Sequence, residues 1–145
     1  MNSGVHIRLL GESDAALLQA CTDDVFDNAI SRELATEFLG DARHHIVAAI
    51  EEGTLIGFAS AVHYVHPDKA PELWINEVGV AESHRGQGIG KRLLTAMLSH
   101  GRTLGCAEAW VVTEEENAPA QRLYASVGGT SRKVVYFTFP LNDSQ

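Results

Sequence analysis

Val78-Gly79-Val80-Ala81-Glu82-Ser83-His84-Arg85-Gly86-Gln87-Gly88-Ile89-Gly90-Lys91-Arg92-Leu93-Leu94 decides how this chain is read. It runs from an apolar strand through a glycine-rich turn into the strongest helical pattern in the sequence, Gly88 to Leu104. There Ile89, Leu93, Leu94, Met97 and Leu98 recur at helical spacing, and Gly105 ends the run. Physically the turn is an anion site. Gly86, Gly88 and Gly90 let backbone approach a ligand with no Cβ in the way. The unpaired N–H groups of a helix start point outward, and the helix dipole adds positive potential. Arg85 and Lys91 add formal charge at either end, so a pyrophosphate fits. The spacing is wrong for a Rossmann GxGxxG turn, and a GxxxxGK[ST] P-loop is absent. A glycine turn with no ligand is the remaining reading of the motif alone.

Outward from this stretch, the chain reads as mixed α/β in a single domain over residues 1–145. Val5 to Leu10 is a strand, followed by a short helix capped by Ser13 or Asp14. A second helix is expected from about Ser31 to Leu39, with Gly40 at its stop. His45–Ile50 and Leu55–Val62 form strands around a tight turn, the second apolar on both faces, so the sheet is covered on both sides. Glu72 to Val80 is a third strand of this group. Ala107 to Val112 is expected as a buried strand, Asn117 to Val127 as a helix, and Lys133 to Phe139 as a last strand.

The formal net charge of -8 argues against a nucleic-acid protein, which needs a basic footprint. It favours cationic partners. No apolar run approaches the roughly 20 residues that span a bilayer, and the N-terminus lacks the features of a signal peptide, so no membrane role and a cytoplasmic location are expected. Cys21 and Cys106 are expected as reduced thiols. His44-His45 and His63-x-x-His66 lack further ligands at metal spacing, so no metal is expected.

The quoted stretch strongly resembles motif A of the GCN5-related N-acetyltransferases, whose signature is Arg/Gln-x-x-Gly-x-Gly/Ala after a strand. Asn117-Ala118-Pro119-Ala120-Gln121-Arg122-Leu123-Tyr124 is similar to that family's later Asn-x-x-Ala-x-x-Leu/Phe-Tyr helix. Gly129 stands where the family usually has an aromatic residue after Gly128, a departure expected to loosen that turn. The resemblance implies a mixed central sheet, with antiparallel N-terminal strands and a splayed parallel pair at an acetyl-coenzyme A site, flanked by helices. It implies that the backbone of Val78 and Val80 pairs with the pantetheine arm. Likewise it implies that N–H groups over Arg85, Gly86, Gln87, Gly88, Ile89, Gly90 and Lys91 hold the pyrophosphate. Asn117 would lie near the pantetheine or the acceptor, and Tyr124 near the coenzyme A sulfur.

An amine attacking a thioester must be neutral, the oxyanion needs a donor, and the departing thiolate needs a proton. Glu77, a carboxylate inside an apolar strand, is the expected base, with pairing at the sheet rim as the structural alternative. Tyr124 is the expected acid, with core packing as its alternative. Cys106 has no neighbouring His in sequence and is not expected as a nucleophile.

Within the family the chain most resembles the aminoglycoside 3-N-acetyltransferases, in Tyr64–Pro67, Glu72–Val80 and Pro119–Gly128. Acidic residues Asp23, Asp24, Asp27, Glu33, Glu37 and Glu114–Glu116 would draw a polycationic sugar, unless they are simply solvated faces. The expected partner is a cationic small-molecule amine. The alternatives are another amine (polyamine, metabolite, protein lysine or N-terminus) or a non-catalytic acyl-CoA-binding module. A homodimer is expected, through the apolar run Val134–Phe139.

Overall fold

The computed structural model describes residues 4–142. A β-sheet of order β1-β2-β3-β4-β5 is built from Val5–Leu9 (β1), His44–Glu51 (β2), Thr54–Tyr64 (β3), Glu72–Val80 (β4) and Glu108–Trp110 (β5). The pairs β1–β2, β2–β3 and β3–β4 are antiparallel, whereas β4–β5 is parallel. Helices Ala15–Gln19 (α1), Arg32–Gly40 (α2), Ile89–Thr103 (α3) and Ala118–Ser126 (α4) complete the mixed α/β architecture. No helix among the described residues is long and apolar enough to cross a membrane.

The continuous apolar run of β3 is buried from Leu55 to Ala61, as a strand covered on both faces requires. One face packs on α3, where Leu93, Leu94 and Met97 are fully enclosed. An ideal Cβ on Gly57 would lie 3.3 Å from the Leu93 side chain, so the glycine lets helix and strand close together. On the other face Phe26, from the loop after α1, stacks on Phe58 with centroids 4.1 Å apart.

Helix starts follow local chemistry. The Ser31 side chain accepts from Leu34 N at 3.2 Å and opens α2. Asn117 Oδ1 accepts from Ala120 N at 3.1 Å and opens α4, with Pro119 in the first turn. Asp14 does something different from the expected cap. It pairs with Arg8 at 3.1 Å and accepts from Gly11 N at 2.7 Å, which tightens the turn ahead of α1. Gly129 also departs from expectation. A Cβ there would fall 2.8 Å from the Tyr124 carbonyl, so this glycine closes the turn after α4 rather than loosening it.

Two strand expectations are corrected. β5 is three residues long and half-exposed, not a buried strand over Ala107–Val112. Lys133–Phe139 forms no strand, and the run lies exposed outside the sheet. Its apolar pattern is strand-like, but no free sheet edge within the chain receives it.

The histidines consume one another. His45 is buried, with its Nε2 at 2.8 Å from His63 Nδ1 and its Nδ1 at 3.0 Å from His100 Nε2, so β2, β3 and α3 are tied by three rings. No group of three or more His, Cys, Asp or Glu residues that could hold a metal occurs among the described residues. Burial is the main cause that lowers the His45 pKa to about 4 from 6.5, reinforced by His100, His63 and His44 and opposed by Asp41. The unfolded chain therefore binds more protons between those values, and stability must fall as pH drops through that window. We expect the urea midpoint to decrease from neutral pH to about pH 5, with a shallower decrease in His45→Gln. Identical slopes in the two proteins would remove His45 as the cause.

Candidate active site

β4 is paired along its whole length to β3 but only through Glu72–Trp74 to β5. Stacking of Trp74 on Trp110, centroids 5.1 Å apart and 12° from parallel, closes the joined end. Trp110 Nε1 donates to Glu72 Oε1 at 3.1 Å across the same rungs. Beyond Trp74 the pairing with β5 ends, and among the described residues the outer edge of β4 from Ile75 to Val80 has no strand partner.

Ala81 N donates to Ile56 O, toward β3, at 2.8 Å. Alternation along a strand turns the N–H and C=O of Val78 and Val80 to the opposite, open side. The Val80 carbonyl already accepts from Arg85 Nε there, at 3.1 Å. The Val78 amide and carbonyl and the Val80 amide therefore face the gap, where an extended chain can add as a further strand.

The glycine turn sits at the end of this edge. Gly86 and Gly88 have φ of 78° and 77°, and a Cβ on either would meet no atom within 4 Å. They are needed for backbone conformation and leave open space in front of the turn. Gly88 is the N-cap of α3, and the first helical bond runs from Arg92 N to Gly88 O. The amides of Ile89, Gly90 and Lys91 therefore have no intrahelical acceptor. Gly90 lies against Leu123, which sets α4 beside the turn; a Cβ there would make ordinary contact with that side chain at 3.5 Å. Gln87 lies exposed at the apex, and Lys91 and Arg85 are exposed at the two sides. The approach to the turn is fixed by three contacts: Glu82 N to Asp24 Oδ2 at 2.8 Å, Ser83 Oγ to His84 Nδ1 at 2.8 Å, and His84 Nε2 to Glu51 Oε1 at 2.7 Å.

On the α1–α2 side of the sheet, a cavity of about 290 Å³ is walled by Phe26, Ile30, Leu34 and Phe38, floored by Phe58 and Ser60, and bounded by the carboxylates of Asp27 and Glu77. Glu77 is not the buried strand carboxylate the sequence suggests. It stands exposed at the rim, opposite Ser60 in the β3–β4 register, next to a bulge between Ser60 and Ala61. Its pKa is nevertheless pushed up, first by desolvation in the cavity and second by the charge of Asp27. Tyr124 is half-buried on α4, and burial pushes its phenol up. Asn117 spends its carbonyl oxygen on the α4 cap, which leaves its amide nitrogen as the group available to a ligand. Burial also pushes up the thiols of the free cysteines Cys21 and Cys106, which makes them poorer nucleophiles.

Of the acidic residues singled out in the sequence, only Asp27 joins Glu77 at the cavity. Asp24 holds the approach to the turn, and Glu115 pairs with Lys133 on the surface. Phe26, Phe58 and Ser60 carried no signal beyond apolar strand and loop patterning, because the cavity joins segments distant in sequence.

An open strand edge thus ends on a glycine-capped helix, with a carboxylate-bounded pocket across the strand. The match to the Acetyltransferase (GNAT) family spans residues 15–128, and the chain belongs to that family. Acetyl-coenzyme A is the acetyl donor used by these enzymes, and the free amides of the turn and the open β4 edge fit its pyrophosphate and pantetheine. A mycothiol acetyltransferase of Thermomonospora curvata is 40% identical over 84 residues, 57% of this chain and 26% of that protein. The chain thus spans about a quarter of that relative's length. An aminoglycoside acetyltransferase from an uncultured soil metagenomic sample, solved with sisomicin, superposes with a TM-score of 0.83 at 21% identity, covering 97% of this chain and 99% of the other. The aminoglycoside N-acetyltransferase AAC(6')-Iy, solved with CoA, gives 0.76 at 23% identity over 94% of each chain. At these identities the structural likeness establishes the fold: an α/β sheet with antiparallel strands and one parallel pair, flanked by helices.

Saturating acetyl-CoA is expected to stabilise the protein, by about 2.7 kcal/mol at a hundredfold excess over Kd. Gly88→Asp places a carboxylate in front of the free amides and is expected to abolish the melting shift while the protein stays folded. A full shift in Gly88→Asp would disprove the placement of the pyrophosphate.

Proposed function

We propose that the chain N-acetylates a primary amine whose body enters the Phe26–Phe58 cavity, with Glu77 as base and Tyr124 as acid. The observation that carries this is the position of Glu77: at the cavity rim, one residue before the Val78 amide that faces the open edge. A carboxylate raised by desolvation and by Asp27 is a better proton acceptor than an ordinary surface glutamate. Glu77 takes the proton from the incoming ammonium, directly or through water. The neutral amine attacks the thioester carbonyl carbon, and the Val78 N–H donates to the developing oxyanion. The C–S bond breaks, Tyr124, kept protonated by its raised pKa, gives its phenolic proton to the departing thiolate, and the second proton shed by the acylated nitrogen restores the phenol through water.

An aminoglycoside is the acceptor favoured by the Asp27–Glu77 carboxylate pair, by the net charge of -8, and by the fold likeness to enzymes of that class. A cavity of about 290 Å³ takes one aminosugar ring, its apolar C–H face on Phe26, with the other rings outside. The sequence resemblance points to N-3, whereas the similar CoA-bound enzyme carries a 6' designation. A small amine on an apolar body is the second reading, favoured by the phenylalanine and aliphatic walls. Thiol release with gentamicin-like and kanamycin-like sugars, phenethylamine, spermidine and a lysine peptide separates these readings, and NMR of the product gives the position. Turnover of the peptide or spermidine alone would overturn both.

Glu77→Gln and Tyr124→Phe are each expected to lower kcat about 10²–10⁴-fold, with acetyl-CoA binding nearly unchanged. Unchanged kcat would return either residue to a packing role. Because Asp27 raises the Glu77 pKa, Asp27→Asn should move the acidic limb of the kcat/KM profile to lower pH. A limb that stays in place would exclude the coupling.

A further inference from the structure

The wall of the acceptor cavity and the approach to the glycine turn come from distant parts of the chain, and one side chain joins them. Asp24 Oδ2 accepts from Glu82 N at 2.8 Å, across 58 positions of sequence. Glu82 begins the short helix Glu82–His84, which leads directly into Arg85 and the glycines. The Glu82 N–H bond is the main cause that holds the Asp24 carboxyl below its ordinary range, with the charge of Arg85 a minor one. The acceptor is therefore a charged carboxylate.

The residues that follow Asp24 build the cavity. Val25 is buried, and its carbonyl lies over Gly79, where a Cβ would come within 3.0 Å of it. Phe26 stacks on Phe58, and Asp27 bounds the cavity with Glu77. Three peptide units span at most about 11 Å, so the place where Asp24 is fixed limits where Asp27 can lie. Upstream, the loop is tied to β3 by Thr22 N to Leu55 O at 3.2 Å and by Leu55 N to Ala20 O at 3.0 Å. Val25 N bonds only within the loop, to Thr22 O at 3.4 Å. Among the described residues, no backbone hydrogen bond holds 26–30 ahead of the Ser31 cap of α2. Asp24 is thus the last hydrogen-bonded anchor between the rest of the fold and the wall.

We propose that Asp24 is a positioning residue for acetyl transfer: its bond to Glu82 N couples the carrier turn to the acceptor wall, so that a filled turn holds Phe26 and Asp27 against the Glu77 cavity. This rests on the reading above, in which the turn takes the carrier and the cavity the acceptor. Asp24 itself touches neither. A pyrophosphate on the Ile89–Lys91 amides restrains the segment that carries the Glu82 N–H, and the bond passes that restraint to the loop. Linkage makes the effect reciprocal, so an acceptor that fixes the wall tightens carrier binding.

Two variants remove the same bond from opposite sides. Asp24→Ala deletes the acceptor. Glu82→Pro deletes the donor at a first helical position, where proline is tolerated. Ala81 before it, with φ of -53° and ψ of 140°, already has the conformation a following proline requires. Asp24→Asn keeps an oxygen for Glu82 N and serves as the conservative rescue. The probe is coenzyme A, added to protein that carries para-fluorophenylalanine at position 26. The fluorine resonance reports the stacking on Phe58, and calorimetry gives the Kd. In the otherwise natural chain and in Asp24→Asn, CoA is expected to shift the resonance. In Asp24→Ala and Glu82→Pro, CoA is expected to bind with a Kd raised severalfold at most and to leave the resonance in place. A shift retained in either folded variant, or absent from the natural chain with CoA bound, would overturn the coupling and leave the carrier site standing. Failure of CoA to bind the natural chain would overturn the carrier site and the coupling with it.

Discussion

The parting of β4 from β5 is the constraint on which the rest of the molecule depends. A parallel ladder can run no further than its shorter strand, and β5 is three residues long. Here the parallel pairing stops after three rungs, at Trp74 and Trp110. The stacked indoles and the Trp110–Glu72 hydrogen bond fasten one end. Past them, the backbone groups of Val78 and Val80 on the open side are left without a strand. An unpaired edge inside a folded protein is costly unless something pairs with it. The family to which the chain belongs uses acetyl-coenzyme A, and the proposed function lays its extended arm along this edge.

The remaining elements are arranged around that gap. The glycine turn lies at its far end, where left-handed φ at Gly86 and Gly88 keeps the space before α3 clear. Asp24, His84 and Glu51 fix the segment leading into the turn. The stack of Phe26 on Phe58 brings the loop after α1 down onto the sheet and forms one wall of the cavity beside Glu77. A Cβ at Gly79 would lie 3.0 Å from both the Phe58 ring and the Val25 carbonyl, so this loop can close on β4 only over a glycine. The open β4 edge and the cavity thus adjoin at Glu77 and Val78, on successive residues of one strand whose side chain and amide point in different directions.

Electrostatics at the site is local. Most of the acidic residues that give the chain its charge of -8 lie away from the cavity, and two carboxylates, Asp27 and Glu77, bound it. Desolvation first and the charge of Asp27 second raise Glu77, the proposed base, and burial raises Tyr124, the proposed acid. The three linked imidazoles at His45, His63 and His100 sit in a different part of the sheet and make the fold, rather than the proposed chemistry, sensitive to acid.

The sequence by itself determined what local chemistry controls. The apolar repeat of α3, the caps at Ser31 and Asn117, the two-faced apolar run of β3 and the glycine turn were all legible, because each depends on residues a few positions apart. Glu77 and the amides of the turn could be singled out for the same reason, whereas Tyr124 was named by resemblance to the family's later helix motif. What only the tertiary structure decided depends on how distant segments meet. The sequence marked Val78 and Val80 as edge residues by resemblance, but the direction of their amides follows from the register against β3. It placed Glu77 in an apolar strand, but the bulge at Ser60 and the loop carrying Phe26 and Asp27 set it at a cavity rim instead of in the core. It read 133–139 as a strand, whereas the run forms none and lies exposed. Periodicity records that a segment can be buried on both faces, but not whether its own sheet has an edge within reach.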